Sequence, residues 1–364
     1  MNSNELLSVA EVCKLLKTSR ANLTKLIDKN EFNLTYNEKG AKRLYKHEID
    51  KYLETHDVDA PKEVDPRNKL NDLNGTEWMP CTKSFMYQKG LGSNHKDAQI
   101  EKLHPAPYSF QDIEQLVLFF TKKNNKVLDP FGGIGSTAKA CALTERTCTS
   151  IELTTEWHNL SIERLEKEVG EGSSKNHEFI NGDCVEQLKK IKDSSYDFVV
   201  TSPPYWSILN KKADHKVISR VEEKLATNYS DSSKDLGNIK NYEEFLEILV
   251  NDVFKECVRV LKKDKYMAIV VSDFRNKSEY ISFHSDLIQK INKLRVDNNY
   301  IITLQGIRIL LQNHKSLLPY GYPFSYVENI HHQYILIFKK TESKLKWLNL
   351  IRIIIVIVIN LLMN

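Results

Sequence analysis

The sequence contains no CxxC pair. Its six cysteines, Cys13, Cys81, Cys141, Cys148, Cys184 and Cys257, are scattered along the chain. That distribution argues against a zinc site and a disulfide framework, so no metal is expected, and it suits a reducing cytoplasm. Long apolar runs are missing as well. The most apolar run, Ile353–Ile359, is flanked by Arg352 and Asn360 and is far shorter than the roughly 20 residues of a membrane helix. No membrane partner is expected. The first residues lack the basic and apolar regions of a secretory signal, which also favours a cytoplasmic location. Net charge is small: 52 Lys and Arg against 48 Asp and Glu give +4. Composition therefore does not announce a nucleic-acid binder, and any basic patch has to be local.

What is present is ordinary for a soluble protein, with 41% hydrophobic and 27% charged residues over 364 positions. This is enough for one large domain and a small accessory one. Residues 1–56 read as a compact, mostly helical module. Residues 57–75, with Pro61, Pro66, Gly75 and many Asp, Asn and Lys, read as a linker. Residues 76–340 alternate β-rich runs with amphipathic stretches, the mark of an α/β fold with a mostly parallel sheet. Strands are expected at Lys126–Leu128, Cys148–Glu152, Glu178–Asn181, Tyr196–Thr201, Tyr266–Ser272, Tyr300–Leu304 and Tyr334–Phe338, and helices at Thr137–Leu143 and Tyr242–Leu261. The tail, 341–364, has no assigned role. A buried strand, a sticky end or an altered reading frame would each account for it.

Residues 127–137, VLDPFGGIGST, follow an apolar strand and open a helix. Ligands of open α/β sheets bind at such a loop, beyond the carboxyl ends of the strands, and glycines there permit close backbone approach. Glu152 ends the next strand about twenty residues on, where a carboxylate would grip ribose hydroxyls. The glycines Gly132, Gly133 and Gly135 do not follow GxGxxG, so the dinucleotide reading is weak. A tight turn with no ligand is the plain alternative. A second loop, Thr201-Ser202-Pro203-Pro204-Tyr205-Trp206, ends the strand before it. Neither proline has an N–H, so the loop is stiff and its carbonyls stay free to accept.

Asp129-Pro130-Phe131-Gly132-Gly133 resembles motif I of the amino-methylating DNA methyltransferases, the N4-cytosine and N6-adenine family. Ser202-Pro203-Pro204-Tyr205 resembles motif IV of the same family, and His104-Pro105-Ala106-Pro107-Tyr108 resembles motif X. The resemblance covers residues from about 100 to 340. It implies a Rossmann-like sheet, S-adenosyl-L-methionine as cofactor and double-stranded DNA as substrate, with a cognate restriction nuclease as a candidate partner. It assigns Asp129, Phe131, Gly132, Gly133 and Gly135 to the cofactor loop, and Glu152 to the ribose. Asp183 is assigned to the adenine amino group, and His104 and Pro107 to the methionine end. Asp183 could equally be a helix cap, and the His-Pro segment a plain turn.

An exocyclic amino nitrogen is a poor nucleophile because its lone pair is delocalised into the ring. Ser202 and the Pro203 carbonyl can hold its two hydrogens and aim that lone pair at a methyl donor, a catalysis by positioning and polarisation. Pro204 stiffens the loop. Tyr205 offers a face to a base that has left the stack. In the family this chain resembles, serine before the prolines leans toward N4 of cytosine, and N6 of adenine is the alternative. The cofactor motif precedes the catalytic motif, and only Ser207–Lys234 and Arg275–Asn329 leave room for target recognition.

In the N-terminal module, two short helices are expected between Leu7 and Ile27, joined near Lys17-Thr18-Ser19, with Ser19 capping the second. Val9, Val12, Leu15 and Leu16 should pack as one face. A hairpin over Glu31–Leu44 turns at Asn37–Gly40, and His47–Leu53 closes as a helix. The pattern resembles the winged helix-turn-helix of excisionase-type proteins. That implies DNA contacts from Arg20 and Lys25 on the second helix and from Lys42 and Arg43 on the wing. A protein-contact module is the alternative. Among other functions, an RNA amino-methyltransferase fits the DNA-like module poorly. A cytosine-C5 enzyme would need a thiolate, which Cys81 offers only before the cofactor loop. A regulator with a dead methyltransferase domain is disfavoured because both loops are intact.

Overall fold

The computed structural model describes residues 5–56, 63–88, 98–101, 103–105, 107–206, 230–277, 279–296, 299–312, 315 and 317–343. The chain forms two compact units, Met1–Glu63 and Val64–Asn364.

The first unit runs β1 (Leu6–Ser8), helix Val9–Leu15, helix Arg20–Asp28, β2 (Leu34–Tyr36), β3 (Lys42–Tyr45) and helix Lys46–Thr55. Its three strands are antiparallel in the order β1-β3-β2. The sequence reading began the first helix at Leu7. Residues 6–8 are instead a strand, because Ser8 and Glu11 close a capping box and start the helix at Val9. Ser19 caps the second helix by accepting from Asn22 N–H at 3.2 Å. The hairpin turns at Asn37–Gly40, where Gly40 N–H reaches Asn37 O at 2.8 Å. Val12, Leu16, Leu23, Phe32, Leu44 and Ile49 form the core. Leu15, expected on the packed face, is exposed.

In the second unit, part of the expected linker is built in. Asn71 is fully buried and donates to Phe119 O at 2.6 Å, while Leu70 and Leu73 pack on the core. The Asn and Asp residues there close local turns, such as Leu70 N–H to Asn68 Oδ1 at 3.0 Å. Their abundance mimics a free linker in the sequence.

The large sheet has eight strands in the order β4-β12-β13-β9-β8-β5-β6-β7. These are β4 (Phe85–Tyr87), β5 (Lys126–Asp129), β6 (Thr147–Glu152), β7 (Glu178–Asn181), β8 (Tyr196–Thr201), β9 (Leu261–Val271), β12 (Tyr300–Leu311) and β13 (His332–Glu342). β5 to β9 are parallel neighbours, and β13 is antiparallel to both β9 and β12. A short hairpin, β10 (Phe274–Asn276) with β11 (Glu279–Ile281), stands apart. The last strands are longer than expected, because β9 starts directly at the end of helix Lys255–Val260 and β12 and β13 continue into a long antiparallel pair. The expected Tyr242–Leu261 helix contains a π-helical stretch at Leu249–Phe254.

Both faces of the central strands are covered, as parallel strands require. In β8, Tyr196 and Val199 face one layer with helices Tyr242–Ile248 and Phe283–Ile291. Phe198 and Val200 face the other, with helices Phe110–Phe120 and Ser136–Leu143. The chain leaves β5 toward β6 and β7, then returns to β8 on the other side of β5. The strand order therefore reverses between β5 and β8, which is where open α/β sheets form a crevice. The Ile/Val-rich tail and most of Ser207–Lys234 lie outside the described residues.

Candidate active site

The glycine loop is shaped by lack of room. A side chain at Gly132 would collide with Ser150 Oγ at 1.9 Å, and one at Gly135 would meet Ser161 Cβ at 2.9 Å. Gly133 and Gly135 also have φ of +50° and +77°, a region that suits glycine. The loop is pinned by Gly132 N–H to Ile151 O at 2.8 Å and Gly135 N–H to Gly132 O at 2.9 Å. His104 lies beside Gly133, edge-on to Trp157 with ring centroids 5.2 Å apart. Pro107 is exposed and Phe131 is half-buried.

Glu152 reaches back to this loop. Its Oε2 accepts from Gly133 N–H at 2.8 Å and its Oε1 from Thr154 N–H at 2.7 Å. Burial pushes its carboxyl above the ordinary range, and the two N–H groups hold it down. The Thr154 side chain also bonds this carboxylate, which leaves one acceptor position, suited to a ribose hydroxyl. Asp183 caps helix Cys184–Leu188 through Val185 N–H to Oδ1 at 2.9 Å. Among the described residues no donor reaches its Oδ2, so capping and a contact with an amino group are compatible. These acceptors and the crowded glycine cradle fit a nucleoside-bearing cofactor.

Asp129 differs from its expected role. It is fully buried, and both oxygens are filled by protein donors. Oδ1 accepts from Thr201 Oγ1 at 2.6 Å and Phe131 N–H at 3.1 Å. Oδ2 accepts from Tyr108 Oη and Thr137 Oγ1, both at 2.5 Å. Burial raises its pKa, and these donors oppose the rise. The carboxylate has no lone pair left for a ligand. It corrects the expectation of a direct cofactor contact: Asp129 ties together the segments before, within and opposite the glycine loop. Thr201 and Tyr108 were missed as its partners because sequence gives no sign of pairing over such separations. Beneath the loop, fully buried Arg164 reaches Ser136 Oγ at 3.1 Å and pairs with Glu101 and Glu168, each at 2.8 Å.

The Thr201–Asp129 hydrogen bond crosses the crevice between β8 and β5, so the catalytic-type loop starts beside the glycine loop. Pro203 is buried and Ser202 half-buried. Ser202 Oγ lies 3.4 Å from Tyr205 Oη, and among the described residues nothing donates to the Pro203 carbonyl. Two acceptors thus stand at the crevice with capacity to spare. Tyr205 Oη also accepts from Gln333 Nε2 at 3.0 Å, and its ring meets Phe283 edge-on. Burial raises the Tyr205 hydroxyl pKa. Trp206 anchors the loop by donating from Nε1 to Ile239 O at 2.9 Å and packing on Tyr242 and Phe274. Gln333 and Trp206 were not singled out in the sequence. At the end of β9, buried Asp273 accepts from His284 N–H at 3.1 Å and lies 2.8 Å from its Nδ1.

In the first unit, Arg20, Lys25 and Lys42 are exposed, and Arg43 is half-buried with Nη1 on Lys42 O at 3.0 Å. Among the described residues no helix is long and apolar enough to cross a membrane.

Comparison with known proteins adds a family. A model of the N6/N4 methyltransferase family, described as DNA methylase, matches residues 3–163 and 196–354. No protein of curated function matches. Among solved structures, a Thermus thermophilus protein described as a DNA modification methylase, complexed with S-adenosyl-L-methionine, is 26% identical over 44% of this chain and 54% of its own, with a TM-score of 0.30. TrmN from Thermus thermophilus is 14% identical over 64% of this chain and 48% of its own, at a TM-score of 0.39. An S-adenosylmethionine-dependent O-methyltransferase from Thermotoga maritima is 12% identical over 85% and 77%, at 0.38. The chain thus spans about half the length of the first two.

Proposed function

The chain belongs to the N6/N4 DNA methylase family, and we propose that it methylates N4 of cytosine in double-stranded DNA. S-adenosyl-L-methionine is the methyl donor, and when bound it supplies an electrophilic methyl group on a sulfonium. The observation that carries the reading is the Ser202–Pro203 acceptor pair at the crevice between β5 and β8. Ser202 Oγ and the Pro203 carbonyl hold the two amino hydrogens of the target base. That holding draws the nitrogen toward a pyramidal form and frees its lone pair. Pro204 keeps the loop stiff, and Tyr205 offers its ring to the base. No covalent adduct with the enzyme is needed, so no cysteine takes part.

On the cofactor side, Glu152 takes a ribose hydroxyl with its remaining acceptor position and Asp183 takes the adenine amino group. Gly132, Gly133 and Gly135 let the backbone approach, while His104, Pro107 and Phe131 border the methionine end. Asp129 is a positioning residue that fixes the two loops against each other. The N-terminal unit, the methyltransferase unit and the Ile/Val-rich tail are separable parts. The N-terminal unit acts as a helix-turn-helix whose Arg20, Lys25, Lys42 and Arg43 neutralise DNA phosphates. A site-specific enzyme of this kind serves restriction–modification or a related defence, beside a nuclease of matching site.

The test is transfer of radiolabel from S-adenosyl-L-methionine to duplex DNA. Label in alkali-stable, acid-precipitable DNA is expected. Cofactor binding without transfer to any DNA would make the chain a DNA-binding regulator instead.

A further inference from the structure

Between β12 and β13 the chain makes a loop that is closed at its neck and open at its tip. Asn329 closes the neck by bonding both backbone groups of Leu318: Leu318 N–H donates to its Oδ1 at 3.0 Å, and its Nδ2 donates to Leu318 O at 2.9 Å. Inside, Phe324 and Ser325 N–H both reach Gly321 O at 2.7 Å, and Gly321 has a φ of +74° that permits the turn. This is an Ω-loop, a compact surface form whose ends meet.

Its side chains point the wrong way for stability. Tyr322 is 81% exposed, Phe324 93% and Tyr326 84%. The rings frame an open surface depression lined by this loop alone. A loop held in shape while it presents three aromatic rings to water marks an interaction surface.

Topology says where that surface lies. Leu311 at the end of β12 pairs with His332 at the start of β13, and Tyr334 pairs with Val271 at the end of β9. β9 is parallel to β8, which ends in Thr201. The loop therefore leaves the same end of the sheet as the Ser202–Tyr205 segment, and Gln333 bonds Tyr205 directly at 3.0 Å. Residues 317–330 contain no Lys or Arg, and their one charge is Glu328. A surface without cations makes no ion pairs with phosphates, but it can stack on bases.

We propose that Tyr322, Phe324 and Tyr326 form an aromatic wedge that covers bases of duplex DNA next to the one held at Ser202. Extruding one base uncovers the faces of its neighbours, and an inserted apolar side chain covers them again. The proposal rests on the DNA methyltransferase reading.

The test compares wild type with a Tyr322→Ala/Phe324→Ala/Tyr326→Ala variant and a ring-retaining Tyr322→Phe/Tyr326→Phe variant. Binding is read by anisotropy of a fluorescein-labelled mixed-sequence duplex, with and without a few central unpaired bases, over a salt series. The triple variant should bind S-adenosylhomocysteine as wild type does, which shows it is folded. It should lose about tenfold in affinity, most clearly on the unpaired duplex. The slope of log affinity against log salt should not change, because no phosphate contact is removed. The ring-retaining variant should match wild type. Unchanged affinity in the triple variant would overturn the wedge, and so would a loss accompanied by a flatter salt slope. A change of oligomeric state by light scattering that accounts for the loss would assign the rings to a second copy of the chain. Ring-dependent DNA binding without methyl transfer by wild type would sink the enzymatic reading and keep the wedge. Transfer by wild type with no ring dependence would do the reverse.

Discussion

The two sides of the crevice are built on opposite principles. On the glycine-loop side, around β5 and β6, the carboxylates of Asp129 and Glu152 are at least partly committed. Asp129 has four donors, Glu152 has two backbone N–H groups, and Gly132 and Gly135 have no space for a side chain. On the target side, around β8 and the β12–β13 loop, the Pro203 carbonyl accepts nothing among the described residues and three aromatic rings face water. Rigidity suits a ligand that is the same at every turnover. Open acceptors and exposed rings suit a macromolecule that has to be gripped, distorted and released.

The sharpest way to break this contrast is at its joint. Tyr108 Oη and Thr137 Oγ1 touch each other, so Asp129→Ala would leave two hydroxyls and one N–H without an acceptor, at roughly 1–3 kcal/mol for each group left unsatisfied. A loss of at least about 3 kcal/mol in urea unfolding is expected, against less than about 1 kcal/mol for Ser202→Ala at the half-buried loop. Equal losses would mean that Asp129 is not the joint.

The next effect is on chemistry alone. Ser202→Ala should lower kcat by about a hundredfold, the usual scale for one group that acts on developing charge in a transition state. Its affinity for S-adenosylhomocysteine should stay unchanged in calorimetry. Glu152→Ala should do the converse and weaken that affinity by about tenfold or more. Similar losses of cofactor affinity in both variants would erase the division of labour.

The elements that could be read from sequence are those whose geometry is local. Two prolines after a β-rich run, and glycines after another, specify their loops with little help from the rest of the chain. Ser19 as a cap and Asn37–Gly40 as a turn are equally local. What could not be read depends on contacts far along the chain. Thr201 and Tyr108 meet at Asp129 across 72 and 21 residues, and neither has a motif that says so. Leu7 and Ser8 read as helical because their pairing with β3 lies far along the chain. Val64–Gly75 looked like a linker because Asx turns and a free linker use the same residues. Arg275–Asn329 could be read only as room for target recognition, since exposure of Tyr322 and Phe324 is a property of the fold.

A smaller effect separates the N-terminal unit from both sides of the crevice. Arg20→Ala with Lys25→Ala should reduce DNA affinity several-fold and lower the log affinity–log salt slope by up to about 2, one for each lost phosphate contact. Cofactor affinity should be untouched. An unchanged slope would mean that this unit serves another partner. The smallest effect expected is at Cys81, whose Sγ donates to Glu77 O at 3.3 Å within a 3-10 turn. Cys81→Ser should keep wild-type turnover, and an inactive but folded variant would revive a thiolate mechanism.

The central claim is that open acceptors at Ser202 and Pro203 act on an exocyclic amino nitrogen. Its most direct test is to methylate duplex DNA with the full chain, digest it to nucleosides and identify the product by mass spectrometry. N4-methylcytosine is the predicted product. N6-methyladenine would keep the mechanism and change the base, whereas 5-methylcytosine would contradict the account outright.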